Sequence, residues 1–113
     1  MTEIRVVAGS DPDWVEVPRP PGDENPPGEE AVAFRSDDGR LSCGLWRRLP
    51  EEGPMDLSGH EIAIILEGEV EVTGEDGTVH RVGPGDVLVT PRGTRATWKA
   101  LSPVKKFWVW YEE

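Results

Sequence analysis

Hydrophobic and polar positions between residues 61 and 93 follow the two-residue period of β-strands. An apolar run at residues 62–66 has the length of one strand, and residues 70–73 then alternate strictly between valine and polar side chains. Residues 79–82 and 87–90 are two further short segments rich in valine. Since no part of this stretch shows the helical period of about 3.6 residues, the pattern predicts short antiparallel strands.

Short turn sequences separate these segments. The Asp-Gly pair at residues 76–77 lies between β-forming residues, which is typical of a hairpin with a type I′ turn. The Gly-Pro-Gly-Asp run at residues 83–86 predicts a second turn, because glycine adopts positive φ and proline fixes its own φ. A third turn is predicted at residues 37–39, Asp-Asp-Gly, between strands at residues 31–35 and 41–49.

The remainder of the C-terminal part predicts more strands of the same kind. Residues 95–101 and 104–111 each predict a strand, while residues 50–54 begin and end with proline and are expected to break the preceding one. Residues 55–60 fit either a loop or a weak strand. About eight short strands joined by turns predict an all-β sandwich or barrel.

The N-terminal part differs in composition and predicts an arm rather than a second domain. Short strands are expected at residues 4–7 and 14–17, followed by a proline-rich strap at residues 18–28, PRPPGDENPPG, that cannot form a helix. We therefore divide the chain into an arm, residues 1–29, and one barrel domain, residues 30–113.

Two apolar features predict a homodimer. Residues 107–111 are apolar on both faces of their strand, so one face is expected to pack on the core and the other under the arm or a second subunit. The arm carries Trp14, and a free tail rarely keeps so large an aromatic side chain, so we expect the arm to pack on the barrel or the partner. Together these surfaces need more cover than one small barrel offers.

Charge and composition restrict the class of partner. The 113 residues suit one domain, and a net charge of −10 argues against nucleic-acid binding because it repels a phosphate backbone. Cys43 is the single cysteine, and neither a signal peptide nor a membrane span of about 20 apolar residues is apparent, so we expect a cytoplasmic protein without membrane contact. Residues 87–111 hold five basic and no acidic residues, which fits either ordinary surface composition or a rim that binds an anion or partner.

Two spaced motifs in the central stretch carry a family resemblance. Six residues separate Glu61 from Gly68, and Gly85 is followed by Pro-Arg-Gly at residues 91–93. Their order and spacing resemble the two motifs of the cupins, which are double-stranded β-helix (jelly-roll) barrels. Over residues 30–112 the chain looks more narrowly like the cupin group named after (S)-ureidoglycine aminohydrolase. The residues that carry this narrower resemblance are Asp37, Asp38, Gly39, Gly44, Leu45, Trp46, Glu61, Leu66, Glu67, Gly68, Asp76, Gly77, Pro84, Gly85, Asp86, Pro91, Arg92, Gly93, Trp98 and Lys106.

The resemblance implies a metal site whose usual ligands are absent from this sequence. Cupins hold a divalent ion with a His-x-His pair, a following glutamate and a later histidine. With Glu61 as the glutamate, the paired positions fall on residues 54 and 56 or on 55 and 57, and the later one on Ala96, and none is histidine. The remaining candidate ligands are Asp56 and Glu61, so we predict that no cofactor is bound tightly. Manganese, iron, zinc and nickel are the metals to test.

The main hypothesis for function is a cupin that binds a small polar molecule in its barrel. The residues expected to line the pocket are Trp46, Arg48, Glu61, Ala63, Ile65, Ala96 and Trp98. Glu61 is the best candidate for a catalytic residue, since a carboxylate in an apolar barrel needs a partner, either a ligand or a base such as Arg48 or Arg95. Two alternatives stay open: an enzyme of the ureidoglycine aminohydrolase or isomerase kind, and a non-catalytic regulatory module acting through the arm and the basic residues.

Overall fold

The computed structural model describes residues 3–19, 21–24 and 27–113, which form ten β-strands and no helix. In chain order the strands are β1 (Val15–Glu16), β2 (Glu29–Arg35), β3 (Leu41–Arg48), β4 (Glu52–Asp56), β5 (His60–Glu67), β6 (Val70–Gly74), β7 (Val79–Val82), β8 (Val87–Thr90), β9 (Arg95–Ala100) and β10 (Val104–Tyr111). The all-β prediction is confirmed. The part of the chain that is described contains no helix long and apolar enough to cross a membrane.

Two antiparallel sheets pack around an apolar core. One has six strands in the order β1-β2-β3-β10-β5-β8, and the other has four in the order β4-β9-β6-β7. The strand β10 lies between β3 and β5, so Trp108 is aligned with Gly44 on one side and Ala63 on the other. The buried core side chains are Ile65, Val70, Val72, Val82, Trp98, Ala100 and Val104.

The Asp-Gly turns form where expected but with a different backbone conformation. Among the described residues only glycines have positive φ, and Gly77 has a φ of 84°. The amide of Gly77 donates to the carbonyl oxygen of Gly74 at 3.0 Å, and the amide of Gly74 donates to that of Thr78 at 2.9 Å. A type I′ turn requires positive φ at both central residues, so the predicted type is wrong. The hairpin instead closes with a single left-handed glycine after a tight turn, because Asp76 keeps negative φ.

The predicted break after the strand at residues 41–49 is confirmed, because β3 ends at Arg48, but a new strand that was not expected begins within residues 50–54. The strand β4 (Glu52–Asp56) includes Pro54, which is aligned with Thr97 of β9. The strand β4 lies at the edge of the four-stranded sheet and has no neighbouring strand on its outer side. The amide hydrogen that Pro54 lacks is therefore not needed for a hydrogen bond there.

The N-terminal arm docks on its own barrel. The expected strand at residues 4–7 does not form, and the one at residues 14–17 shortens to β1, which pairs with β2. The Arg47 guanidinium lies 4.2 Å from the centre of the Trp14 ring, and the Lys105 ammonium donates to the Gly9 carbonyl oxygen. Residues 20, 25 and 26 of the predicted strap lie outside the described residues.

An apolar patch covers the outer face of the six-stranded sheet. The strand register aligns Ile62 with Val109 and Val89, and strand alternation places all three side chains on this face. Val89 is 61% exposed and Ile62 is 49% exposed, and the Ile4 side chain of the arm is also exposed. Contiguous exposed apolar surface on a small protein marks an interaction site.

We propose that two copies of the chain pack through this outer face. Light scattering after gel filtration should then give twice the mass of one chain at micromolar concentration. Val89→Lys should shift the protein to the monomer, because it places a charge in the proposed interface. Val79→Lys, at a similarly exposed valine in β7 of the other sheet, should leave the dimer intact. A monomer for the unmodified chain would refute the proposal.

Candidate functional site

A cavity of about 660 Å³ opens between the two sheets. The strands β2, β3, β5 and β10 form one wall, and β4 and β9 form the other. This volume lies in the range of about 300–1,000 Å³ that is typical of pockets for small molecules. Its lining residues are Asp23, Glu30, Arg35, Ser42, Trp46, Arg48, residues 51–57, Glu61, Trp98, Lys106, Trp108 and Trp110.

The last strand supplies three side chains to this cavity. Lys106, Trp108 and Trp110 are spaced by two residues along β10, so they share the inner face of the sheet. The register aligns Trp110 with Ser42 of β3 and with Glu61 of β5. An indole, a hydroxyl and a carboxylate therefore lie side by side across three neighbouring strands.

An ion pair between Lys106 and Glu61 lies in the cavity wall. The Lys106 Nζ atom donates to Glu61 Oε1 at 2.7 Å, and the two side chains are only 10% and 16% exposed. The same Nζ lies 4.7 Å from the Trp46 ring centre and 4.9 Å from that of Trp98. The two indoles meet edge to face at 5.7 Å. The ammonium is therefore held by one carboxylate and two aromatic faces, which are the groups that attract a desolvated cation most strongly.

A second charged cluster lies at the same cavity. The Arg48 Nη2 atom lies 3.0 Å from Glu51 Oε2 and 3.7 Å from Asp23 Oδ2. Burial raises the pKa of the Glu51 carboxyl above its ordinary value, the Arg48 charge opposes this rise, and the charge of Asp23 adds to it. Glu51 consequently holds its proton to a higher pH in the folded protein than in the unfolded chain.

Comparison with known families identifies this arrangement of strands. The model described as the EutQ-like cupin domain matches residues 35–108, which include Trp46, Glu61 and Lys106. The chain belongs to the EutQ-like cupin domain family. The jelly-roll barrel expected from the two sequence motifs is therefore confirmed.

Solved structures agree with this assignment. A protein described as ethanolamine utilization protein Q from Salmonella typhimurium LT2 is 25% identical, with a TM-score of 0.78 over 96% of this chain and 85% of that one. A DUF861 family protein from Thermotoga maritima is 39% identical, with a TM-score of 0.55 over 57% of this chain and 73% of that one. A cupin superfamily protein from Desulfitobacterium hafniense is 15% identical, with a TM-score of 0.68 over 99% of this chain and 100% of that one, and shows a likeness of fold alone. The curated proteins searched contain no match.

This cupin brings some of the residues suggested for the pocket together and separates others. The cavity is lined by Trp46, Arg48, Glu61 and Trp98. Ala63 and Ile65 share the inward face of β5 with Glu61 but are fully packed, and Ala96 packs against the core, so none of these three lines the cavity.

The partner of Glu61 differs from the expected one. Neither Arg48 nor Arg95 reaches the carboxylate, because Arg48 pairs with Glu51 and Arg95 lies beside Asp56. Lys106 pairs with it instead, although the two residues are 45 positions apart in the sequence. In the sequence, Lys106 is notable only as part of the family motif. Two-residue alternation along the last strand was the signal that could have placed Lys106, Trp108 and Trp110 on one face.

The residues at the expected metal position of the cupin do not fit a metal ion. Met55 packs against the core and is aligned with Ala96, so residue 55 points inward and residues 54 and 56 do not. Neither Met55 nor Ala96 has a side chain that is a usual ligand of first-row metals. Asp56 is 72% exposed and lies 3.8 Å from Arg95, while the Glu61 carboxylate bonds to Lys106. Within residues 3–19, 21–24 and 27–113, no three His, Cys, Asp or Glu side chains group as a metal ion requires.

Breaking the Lys106–Glu61 pair should destabilise the protein more than removing it entirely. Lys106→Met leaves a nearly buried carboxylate without its cation, with an expected cost of about 3 kcal/mol in the free energy of unfolding. Lys106→Met combined with Glu61→Met should recover most of that loss, and Lys99→Met, at an exposed lysine of β9, should change little. Urea unfolding followed by circular dichroism measures all three. Equal losses for the single and double variants would contradict this interpretation.

The pKa of Glu51 makes a prediction about stability and pH. A carboxyl whose pKa is raised by folding contributes stability at low pH, and this contribution is lost as the pH rises from the unfolded-state value of about 4.5 through the raised folded-state value. Glu51→Gln should therefore gain stability relative to the unmodified protein as the pH increases over this window. Urea unfolding between about pH 4 and pH 8 measures the difference, with Glu52→Gln as the exposed neighbouring control. A difference that does not change with pH would rule out the effect.

Proposed function

We propose that this cupin binds a small polar molecule in the cavity, with the Lys106 ammonium as the fixed positive charge of the site. The observation that carries the proposal is the 2.7 Å pair between Lys106 and Glu61 in the cavity wall. A charged pair is costly to remove from water, and replacing it with apolar side chains is often neutral or stabilising. Its presence beside an open cavity therefore favours a role in binding over a role in stability.

The form of the cavity supports a small ligand. Four tryptophans line it: Trp46, Trp98, Trp108 and Trp110. These four aromatic side chains stand beside charged ones, so the wall offers both apolar and polar contacts to a small molecule. Glu61 has one oxygen engaged by Lys106, so its second oxygen is the natural contact for a ligand donor.

An enzyme of the ureidoglycine aminohydrolase or isomerase kind is the second candidate. In such an enzyme Glu61 would act as general base and Lys106 would carry the matching positive charge, since both side chains meet in the cavity. A turnover assay separates this candidate from simple binding.

A regulatory module acting through the basic residues has weaker support. Arg92 lies 4.0 Å from Glu113, Arg95 lies beside Asp56, and Lys105 contacts the arm. These cations point to separate acidic or carbonyl partners, so they do not present one shared anion surface.

The test is native mass spectrometry with elemental analysis on untagged protein. We expect a small molecule that is released on denaturation, and less metal than protein on a molar basis. Glu61→Gln should reduce retention of the molecule at least several-fold, whereas His60→Gln and His80→Gln, at residues whose side chains do not line the cavity, should retain it.

Three outcomes would overturn the proposal. Equimolar metal that is lost in Glu61→Gln would favour a metal-dependent enzyme. Equal retention in Glu61→Gln and the histidine variants would exclude Glu61 as the functional centre. Absence of any retained molecule, together with no binding to a library of polar metabolites, would favour the regulatory module.

A further inference from the structure

Carboxylates outnumber cationic side chains around the cavity. Its lining includes six carboxylates and three cations, namely Asp23, Glu30, Glu51, Glu52, Asp56 and Glu61 against Arg35, Arg48 and Lys106. Lys106 neutralises Glu61, and Arg48 neutralises Glu51. Arg35 is the third cation of the lining, and Arg95 lies beside Asp56, so six carboxylates face four cations and the excess is two negative charges. A partly enclosed, low-dielectric cavity of this sign attracts cations and repels anions.

Two indole rings of the cavity are positioned by glycines. A Cβ atom at Gly44 would lie 3.1 Å from Trp108 Cζ2, and one at Gly59 would lie 2.7 Å from Trp110 Cζ2. The absence of a side chain at these positions therefore lets each ring lie close against the backbone. In the described part of the chain the cations over indole faces are Arg47, over Trp14, and Lys106, over Trp46 and Trp98. The rings of Trp108 and Trp110 take no part in these contacts.

The cavity wall also holds two buried donors without a partner among the described residues. They are the Nε1 atom of Trp98, a residue that is 6% exposed, and the Nε atom of Arg48. A buried donor that lacks an acceptor costs free energy, but neither atom has surface open to the cavity, so an oxygen of an occupant does not reach them in this arrangement.

From the charge of the lining and the two indole rings that hold no cation, we infer that the occupant of the cavity is a small organic cation. The cation packs against the faces of Trp108 and Trp110 and contacts the second oxygen of Glu61. The Lys106 ammonium is held by the same kinds of group, an indole face and a carboxylate, in the same cavity. This inference rests on the proposed function and specifies the chemical class of the ligand.

Choline is the probe that tests the inference, because it carries a permanent ammonium charge. Its neutral isostere is 3,3-dimethyl-1-butanol, and the carboxylate of matching shape is 3,3-dimethylbutanoate. Titrations are followed by the indole Nε1–H resonances of the five tryptophans in two-dimensional NMR at low ionic strength. We expect choline to shift the Trp108 and Trp110 resonances with a dissociation constant about tenfold lower than that of the neutral alcohol, and the carboxylate to bind more weakly still.

Matched variants separate the charge of the cavity from the charge of the whole protein. Glu30→Gln removes a cavity carboxylate and should weaken choline binding several-fold without affecting the neutral alcohol. Glu29→Gln makes the same change in net charge at the neighbouring residue, which pairs with Arg47 outside this cavity, and should leave choline binding unchanged. Trp110→Leu should weaken choline binding about tenfold, and Trp14→Leu in the arm should not.

The outcomes distinguish this inference from the proposed function on which it rests. Equal binding of choline and the neutral alcohol, or tighter binding of the carboxylate, would overturn the organic cation while leaving a polar ligand in the same cavity. Equal effects of Glu30→Gln and Glu29→Gln would also overturn it. If none of the three probes shifts the Trp108 and Trp110 resonances, the inference is wrong. Native mass spectrometry of the purified protein then decides whether the proposed function falls with it.

Discussion

The contact between the Lys106 ammonium and the Glu61 carboxylate is the constraint on which the cavity depends. Both side chains lie between the sheets, where the loss of hydration is costly unless each charge is balanced. The rings of Trp46 and Trp98 add their negative faces to the same ammonium, so the indoles contribute electrostatically as well as through buried area. Displacing any member of this group would leave a charge in the cavity wall without its full set of partners.

The strand β10 makes this arrangement possible because its inner face lines the cavity and its outer face belongs to the apolar patch. Its central position between β3 and β5 aligns Trp110 with Ser42 and Glu61, and the inward residues of three strands meet in one wall. The alternate residues of β10 belong to the outer apolar face of the same sheet. A change in the register of this strand by one residue would exchange the two faces, which couples the proposed dimer interface to the cavity.

At the expected metal position, the side chains present are not the usual ligands of first-row metals. Met55 and Ala96 stand where the cupin motifs have histidines, and the one matching carboxylate is bonded to a lysine. A lysine ammonium supplies a positive charge of fixed position but only one unit of charge and no open coordination sites. In the proposed function, the tryptophans and carboxylates of the lining would select the ligand.

Local patterns in the sequence determined most of the strands of the barrel. Two-residue alternation placed Ala63 and Ile65 on the same face as Glu61, and the Asp-Gly pairs marked the hairpins, because each of these signals acts over a few neighbouring residues. The inward positions of Glu61 and Trp98 were expected from the resemblance to the cupins. Only the tertiary structure decided which strands are neighbours. The order of strands in a sheet depends on packing between distant segments, so it alone brought Lys106 to Glu61 and placed Pro54 on an edge where its missing donor is harmless. The composition shows the excess of negative charge. Only the tertiary structure shows that part of this excess lies around four indole rings.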